Sequence, residues 1–185
     1  TNAALSSATG VTGAVNAFCG LYPADINDDG AIEVPSPGPI PSRVEGDQCV
    51  GWMSYNGAGE AETVLWTYHN LEDGWYLRLP ESWAGQVRAE RSATGSDASV
   101  TFYYQRFDES GVGPRDTAIL RITTLTGTGR EVRATRGSRF PLSRQSDVIY
   151  TAELPENPPW DQCMTAEEVR EAFSLIAREW IPLDT

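Results

Sequence analysis

The chain has 185 residues, with 26 Asp and Glu against 14 Lys and Arg, a formal net charge of -12 and a sequence pI near 4.4. All 14 cations are arginine, so Schiff-base chemistry and the lysines of P-loops and protein kinases are excluded. The single histidine, His69, rules out zinc motifs built on histidine pairs and leaves any Ser-His-Asp or Cys-His mechanism to that one residue. Dense negative charge also repels phosphate backbones, so nucleic acid is not an expected partner.

The length suits one domain, or one domain with a short appendage, and six Trp, seven Tyr and five Phe can fill its core. No apolar run approaches the ~20 residues that a membrane-spanning helix needs. The first residue is Thr1 rather than an initiator methionine, which points to a processed or trimmed chain. Cys19, Cys49 and Cys163 have no CxxC spacing. One disulfide with a leftover thiol, or three buried thiols, are both open.

Residues 1–20 are small and polar apart from Val11, Val15 and Phe18, too poor in apolar surface to fold alone. Asp25 to Glu33 follows, rich in acids and turn residues. Then Pro35, Pro37, Pro39 and Pro41 read as an extended, polyproline-like connector. The expected organisation is an N-terminal arm over residues 1–42 and a domain over 43–185.

From Gly51 onward the pattern is that of strands. Trp52 to Tyr55 and Thr63 to His69 are aromatic and β-branched, and Leu71-Glu72-Asp73-Gly74 is a turn into Trp75 to Leu79. There Trp75, Leu77 and Leu79 should face one way, Tyr76 and Arg78 the other. Gln86 to Arg91, Ser99 to Phe107, Thr117 to Leu125, Arg139 to Leu142 and Val148 to Glu153 are further strands, with turns at Ser92 to Asp97 and Ser110 to Pro114. Strands spaced so closely by turns imply an antiparallel sheet. Near the end, Thr165-Ala166-Glu167-Glu168 is a capping box. Val169, Phe173, Ile176 and Trp180 then recur at helical spacing until Pro182. The expected fold is therefore α+β: an antiparallel sheet of about five to seven strands packed against a helix over 165–180, preceded by a loop-rich arm.

One motif carries chemistry. Asp25, Asn27, Asp29 and Glu33 place oxygen donors at loop positions 1, 3, 5 and 9, with Gly30 at position 6 and the Ala31 carbonyl at position 7. A hard cation such as Ca²⁺ takes about six to eight oxygens, and alternate side chains of a curled loop converge on one point. Ile32 should point into a core and anchor the loop. Position 12, which in an EF-hand is a bidentate Glu, is Ser36 here. Asn-Asp-Asp-Gly is equally the composition of an ordinary tight turn. The motif resembles the calcium loops of dockerin modules and integrin-type propeller repeats, which implies Asp25, Asn27, Asp29, Ala31 and Glu33 as ligands of a structural calcium ion.

Two longer stretches, Asp73 to Trp83 and Ala172 to Trp180, resemble segments of uncharacterised cell-surface lipoproteins of gut Clostridia. That likeness implies an extracellular, lipid-anchored bacterial surface protein. Pro80-Glu81-Ser82-Trp83 is similar to a turn of the PsbP and Mog1 family of α/β sandwiches. Neither resemblance brings a known catalytic residue.

The only basic cluster, Arg130, Arg133, Arg136, Arg139 and Arg144, is suited to an anion or an acidic partner, or to intramolecular pairing at an exposed turn. His69, near Glu72 and Asp73, lacks a nucleophile motif and reads as a strand-end histidine. Acid pairs such as Asp108-Glu109 and Glu167-Glu168 have the residue types of a glycosidase, as chance alone would give. Trp52, Tyr55, Trp66, Tyr68, Trp75, Tyr76 and Trp83 fit either a core or a sugar-binding face. The leading expectation is a non-catalytic binding or structural module whose ligand is a glycan or a protein. The alternative is a secreted hydrolase with a carboxylate site.

Overall fold

The computed structural model describes residues 21–38, 47–106 and 115–176. In chain order its strands are β1 (Val34–Pro37), β2 (Asp47–Tyr55), β3 (Ala61–Asn70), β4 (Trp75–Leu79), β5 (Val87–Thr94), β6 (Asp97–Arg106), β7 (Arg115–Thr126), β8 (Phe140–Arg144), β9 (Val148–Glu153) and β10 (Phe173–Leu175). Among the described residues two short α-helices, α1 (Arg130–Ala134) and α2 (Ala166–Ala172), and a 3-10 turn at Glu81–Trp83 accompany a mostly β structure. One antiparallel sheet has the order β1-β2-β3-β4-β10 and the other β5-β6-β7-β9-β8. The expected single sheet is thus two.

The compact units also divide the chain elsewhere than at residue 42. The first takes its described residues from 21–38, 47–79 and 175–176, the second from 80–106 and 115–174. The supposed arm belongs to the first unit because β1 is hydrogen-bonded along β2, from Val34 opposite Met53 to Pro37 opposite Val50. Half of the expected connector is therefore an edge strand, and Pro39 and Pro41 lie outside the described residues.

Proline is admissible in β1 for a geometric reason. The Gly38 N–H donates to the Cys49 carbonyl at 2.9 Å, and alternation then turns residues 34 and 36 toward β2 and Pro35 and Pro37 away from it. The two missing N–H groups fall where there is no partner strand to accept them. Gly38 itself is required: a Cβ there would meet Cys49 Sγ at 2.3 Å and the Cys49 carbonyl carbon at 2.7 Å.

Cross-strand register sets the core of the first unit. Val50, Trp52, Leu65, Thr67, His69 and Tyr76 share one face of the sheet, and Leu21, Ala24, Ile26 and Ile176 cluster against the apolar members of that face. Tyr76 is buried together with Trp75 and Leu77, so β4 is covered on both faces there. Inside this core Trp52 Nε1 donates to Thr67 Oγ1 at 2.7 Å, and Thr67 Oγ1 lies 2.9 Å from His69 Nε2. The imidazole stacks on Tyr76, with centroids 5.1 Å apart.

In the second unit Ala89, Phe102 and Leu120 lie in one cross-strand row and Val100, Ile122 and Ala152 in the next. Trp83 packs on Phe102 at 5.6 Å. On the other face Leu125 and Ile149 are covered by Ala134 of α1. The capping box forms as expected: the Glu168 N–H donates to Thr165 Oγ1 and the Thr165 N–H to Glu168 Oε2.

The helix is shorter than its periodicity suggested. It stops at Ala172, where Phe173 turns extended (φ -82, ψ 133) and the chain becomes β10. Two turns of helix are marginal by themselves, and β4 offers an edge to pair with. Phe173 packs on Tyr150 and Ile176 donates its N–H to the Gly74 carbonyl at 3.0 Å. Trp180 and Pro182 lie outside the described residues.

Burial of His69 has a measurable consequence. Loss of solvent pushes its pKa from 6.5 down to about 3, because the protonated ring would carry an N–H at Nδ1 with no acceptor. Only the unfolded chain takes up this proton between pH 6.5 and about 3, so stability is full above pH 6.5 and falls with pH below it. Between about pH 7 and about pH 5 urea titrations should show His69→Gln losing about 2 kcal/mol less than the native sequence. Identical losses would place the native imidazole in water.

Candidate functional site

The Asp25–Glu33 loop is curled as its composition predicts. Asp28 and Gly30 take positive φ, 60° and 88°. Asp25 accepts the N–H groups of Asp29 (3.0 Å) and Gly30 (2.9 Å), and Asp29 accepts that of Ala31 (2.8 Å). Asn27 takes the Asp29 N–H on Oδ1 and donates from Nδ2 to Asp29 Oδ2. The loop is closed by a bridge in which Ala24 and Glu33 exchange both backbone hydrogen bonds, at 3.1 and 2.9 Å.

Glu33 differs from the other acids of the loop. It is 0 % exposed. Its Oε2 accepts the Ile26 N–H at 3.2 Å, and its Oε1 has no hydrogen-bond partner. A carboxylate withdrawn from water is stable only when paired, hydrogen-bonded or bound to a metal, and one bond from a neutral donor leaves it under-compensated. Among the described residues no group of three or more His, Cys, Asp or Glu is already gathered around one point; Asp25 and Asp29 are turned onto backbone N–H groups. Each carboxylate oxygen nevertheless has a second lone pair, and the donor set consists of oxygen alone, as a hard cation demands. It is the donor chemistry of the loop, not its present side-chain arrangement, that suits a hard cation. Ile32 does not anchor the loop as expected: it is 55% exposed, and Ile26 is the buried residue instead.

The arginine cluster is largely consumed within the second unit. Arg133 pairs with Asp97 at 2.9 Å and also donates to the carbonyls of Thr126 and Thr128. Arg139 pairs with Glu153 at 3.3 Å, and Arg144 with Glu131. Arg130 donates to the carbonyls of Gly127 and Ser146. Among the described residues Arg136 has no ion-pair partner and is exposed. The cluster is thus mainly a brace for the β7–β9 turn region.

The aromatic residues that fit a sugar platform are mostly core. Trp52, Tyr68, Trp75 and Trp83 are 0 % exposed and Tyr76 7%. Only Tyr55 and Trp66 are half-buried.

Among the described residues, two hollows hold polar groups, and neither assembles a catalytic site. One of about 280 Å³ is lined by Ser82, Asp161, Gln162, Cys163 and Glu168, among others. Burial pushes the Cys163 thiol above its ordinary value, the wrong direction for a nucleophile. The Thr165 N–H holds the Glu168 carboxyl below its ordinary value, the wrong direction for a general acid. A second hollow, of about 380 Å³, holds Glu60 and Glu62 beside Ser54 and Asn56 at a hairpin end. His69 is sealed in the core, out of reach of substrate. Asp108, Glu109 and Cys19 lie outside the described residues. Cys49 and Cys163 are free thiols.

Sequence alone does not single out Glu33 as the buried member of the loop. The available signal is the apolar residue on each side of it, Ile32 and Val34, which marks a strand entering a core.

If Arg133 is a brace rather than a ligand anchor, Arg133→Ala should cost about 1–3 kcal/mol in chemical denaturation and Arg136→Ala less than about 0.5 kcal/mol. Equal, small effects would return the cluster to the surface. No protein-family model, curated protein or solved structure matches the chain.

Proposed function

We propose that the chain is a non-catalytic, calcium-stabilised β module of a secreted or surface-anchored bacterial protein. The observation that carries this reading is the fully buried Glu33 carboxylate with one oxygen unpartnered, at the end of a loop of Asp25, Asn27, Asp29 and the Ala31 carbonyl. A divalent cation supplies the missing countercharge. Extracellular calcium is abundant enough to fill sites of about 10⁻⁴–10⁻³ M affinity, and a chain of net charge -12 with no lysine suits that setting. In this reading the ion holds backbone in place and takes no part in chemistry. The short helix α2, with Val169 and Ala172 buried, is the packing helix of an α+β framework. The role of the module is structural support or the binding of a protein partner, since its large aromatics are spent on packing. A hydrolase would need a carboxylate with a raised pKa in a cleft, and no observation favours one.

Calcium at about 100 times its Kd should stabilise the protein by about 2.7 kcal/mol, which for a chain of this size raises the melting temperature by about 5–10 °C. EDTA should reverse the shift, and Asp25→Ala with Asp29→Ala should abolish it. Melting that ignores calcium and EDTA alike would sink the proposal.

A further inference from the structure

We infer that the cation decides whether residues 21–38 stay docked on the first sheet: calcium holds β1 against β2, and its loss releases β1 and bares the β2 edge. This rests on the calcium reading above and adds a regulated element to it.

Glu33 sits at the junction. Its backbone is bridged to Ala24 on one side, and the next residue, Val34, begins β1. Leu21 upstream of that bridge, Ala24 in it and Ile26 just inside it cover Val50, Trp52 and Tyr76. The Glu33 carboxylate is tied by Oε2 to the Ile26 N–H, at the start of the loop, while Oε1 is buried without a partner. Docking the segment therefore requires burial of this charge. With a cation beside it the burial is compensated; without one it opposes docking, and release into water removes the cost.

What holds β1 otherwise is slight. It has four residues, two of them prolines whose missing N–H groups cannot recruit a strand on the outer side. Beyond the ladder it is attached by the Ser36 hydroxyl on the Gly51 carbonyl and the Gly38 N–H on the Cys49 carbonyl, both at 2.9 Å, and by burial of the Pro35 ring. Elements with so few bonds open at a small fraction of the global unfolding free energy. A buried charge of changing compensation is large on that scale. Opening would free the outward backbone groups of Cys49, Gly51 and Met53, and it would uncover Val50 and Trp52, both 0 % exposed when docked.

Hydrogen exchange of the full chain, read by mass spectrometry with calcium or with EDTA, tests this, with calcium binding followed separately by calorimetry. Calcium at about 100 times Kd should slow exchange in β1 and at Cys49, Gly51 and Met53 about 100-fold, and leave β6 and β7 unchanged. Glu33→Gln removes the charge and keeps the shape. It should bind calcium poorly, yet in EDTA its β1 and β2 amides should stay protected as in the calcium-loaded native protein. Gly38→Ala, remote from the ligands, should push β1 off Cys49 and leave the same amides unprotected even in calcium, with weaker calcium binding because coupling is reciprocal.

No calcium binding by the native chain would overturn the calcium reading and this inference together. Binding without a change in β1 and β2 exchange would overturn this inference alone. So would fast exchange in EDTA for a folded Glu33→Gln, since the charge would then not drive release. Should Glu33→Gln fail to fold, Gly38→Ala decides: full protection in calcium would overturn the inference.

Discussion

A carboxylate that is wholly buried and only half hydrogen-bonded is the constraint on which the first unit depends. Glu33 cannot leave the interior without undoing the bridge to Ala24, and through Ala24 the cover that Leu21 and Ile26 provide to Trp52 and Tyr76. The buried side chains on that face, Val50, Trp52, Thr67, His69 and Tyr76, supply no countercharge; among the described residues its one arginine, Arg78, opposite Thr67, is at an exposed position. Burial also holds His69 unprotonated. Among the described residues Glu33 is compensated only by the Ile26 N–H of its own loop. This is why a nine-residue acidic stretch, unremarkable as a turn, becomes decisive for how residues 21–38 are held.

The same face shows what else the N-terminal segment controls. Trp52, Thr67 and His69 are linked by a chain of two short hydrogen bonds, which a dry environment strengthens. The segment over it keeps it dry. Pro35 and Pro37 then end the sheet at β1, because an edge without N–H donors cannot extend to another strand. Covering one face and terminating one edge are thus done by the same eighteen residues, with Gly38 permitting the close approach to Cys49 that both require.

Strands were the most legible part of the chain. Trp75 to Leu79 and Val148 to Glu153 have the bounds read from alternation and turn chemistry, and the Asn70–Gly74 turn forms through Asn70 and Asp73 with Gly74 at φ 73°. The capping box at Thr165 was legible because both its partners are local. What was not legible depends on distant partners. Pro35 and Pro37 read as a connector, since nothing local shows that β2 will lie beside them. Phe173 and Ile176 fit the helical stripe of α2, and only the edge of β4 and the ring of Tyr150 draw them into β10. The calcium-type spacing of the loop was visible; the burial of Glu33, and the exposure of Ile32 in its place, were not, because which side of the 24–33 bridge faces the core is set by the sheet.

The two units handle charge in different ways, and this follows from composition. With no lysine, every cation is a guanidinium able to bond a carboxylate and several carbonyls at once. The second unit uses this freely: Arg88 bonds Glu90 and Asp116 while lying over the Tyr103 ring at 4.3 Å, and Arg133 ties Asp97 to two turn carbonyls. Its acids are answered from within the chain. Among the described residues of the first unit the only arginine is Arg78, on the exposed position of β4 and opposite Thr67, while Asp25, Asp28, Asp29 and Glu33 crowd one loop. An acidic surplus so unevenly divided leaves the first unit far fewer internal cations for its acids than the second has. The proposed calcium dependence therefore concerns the first sheet and its N-terminal segment rather than the chain as a whole.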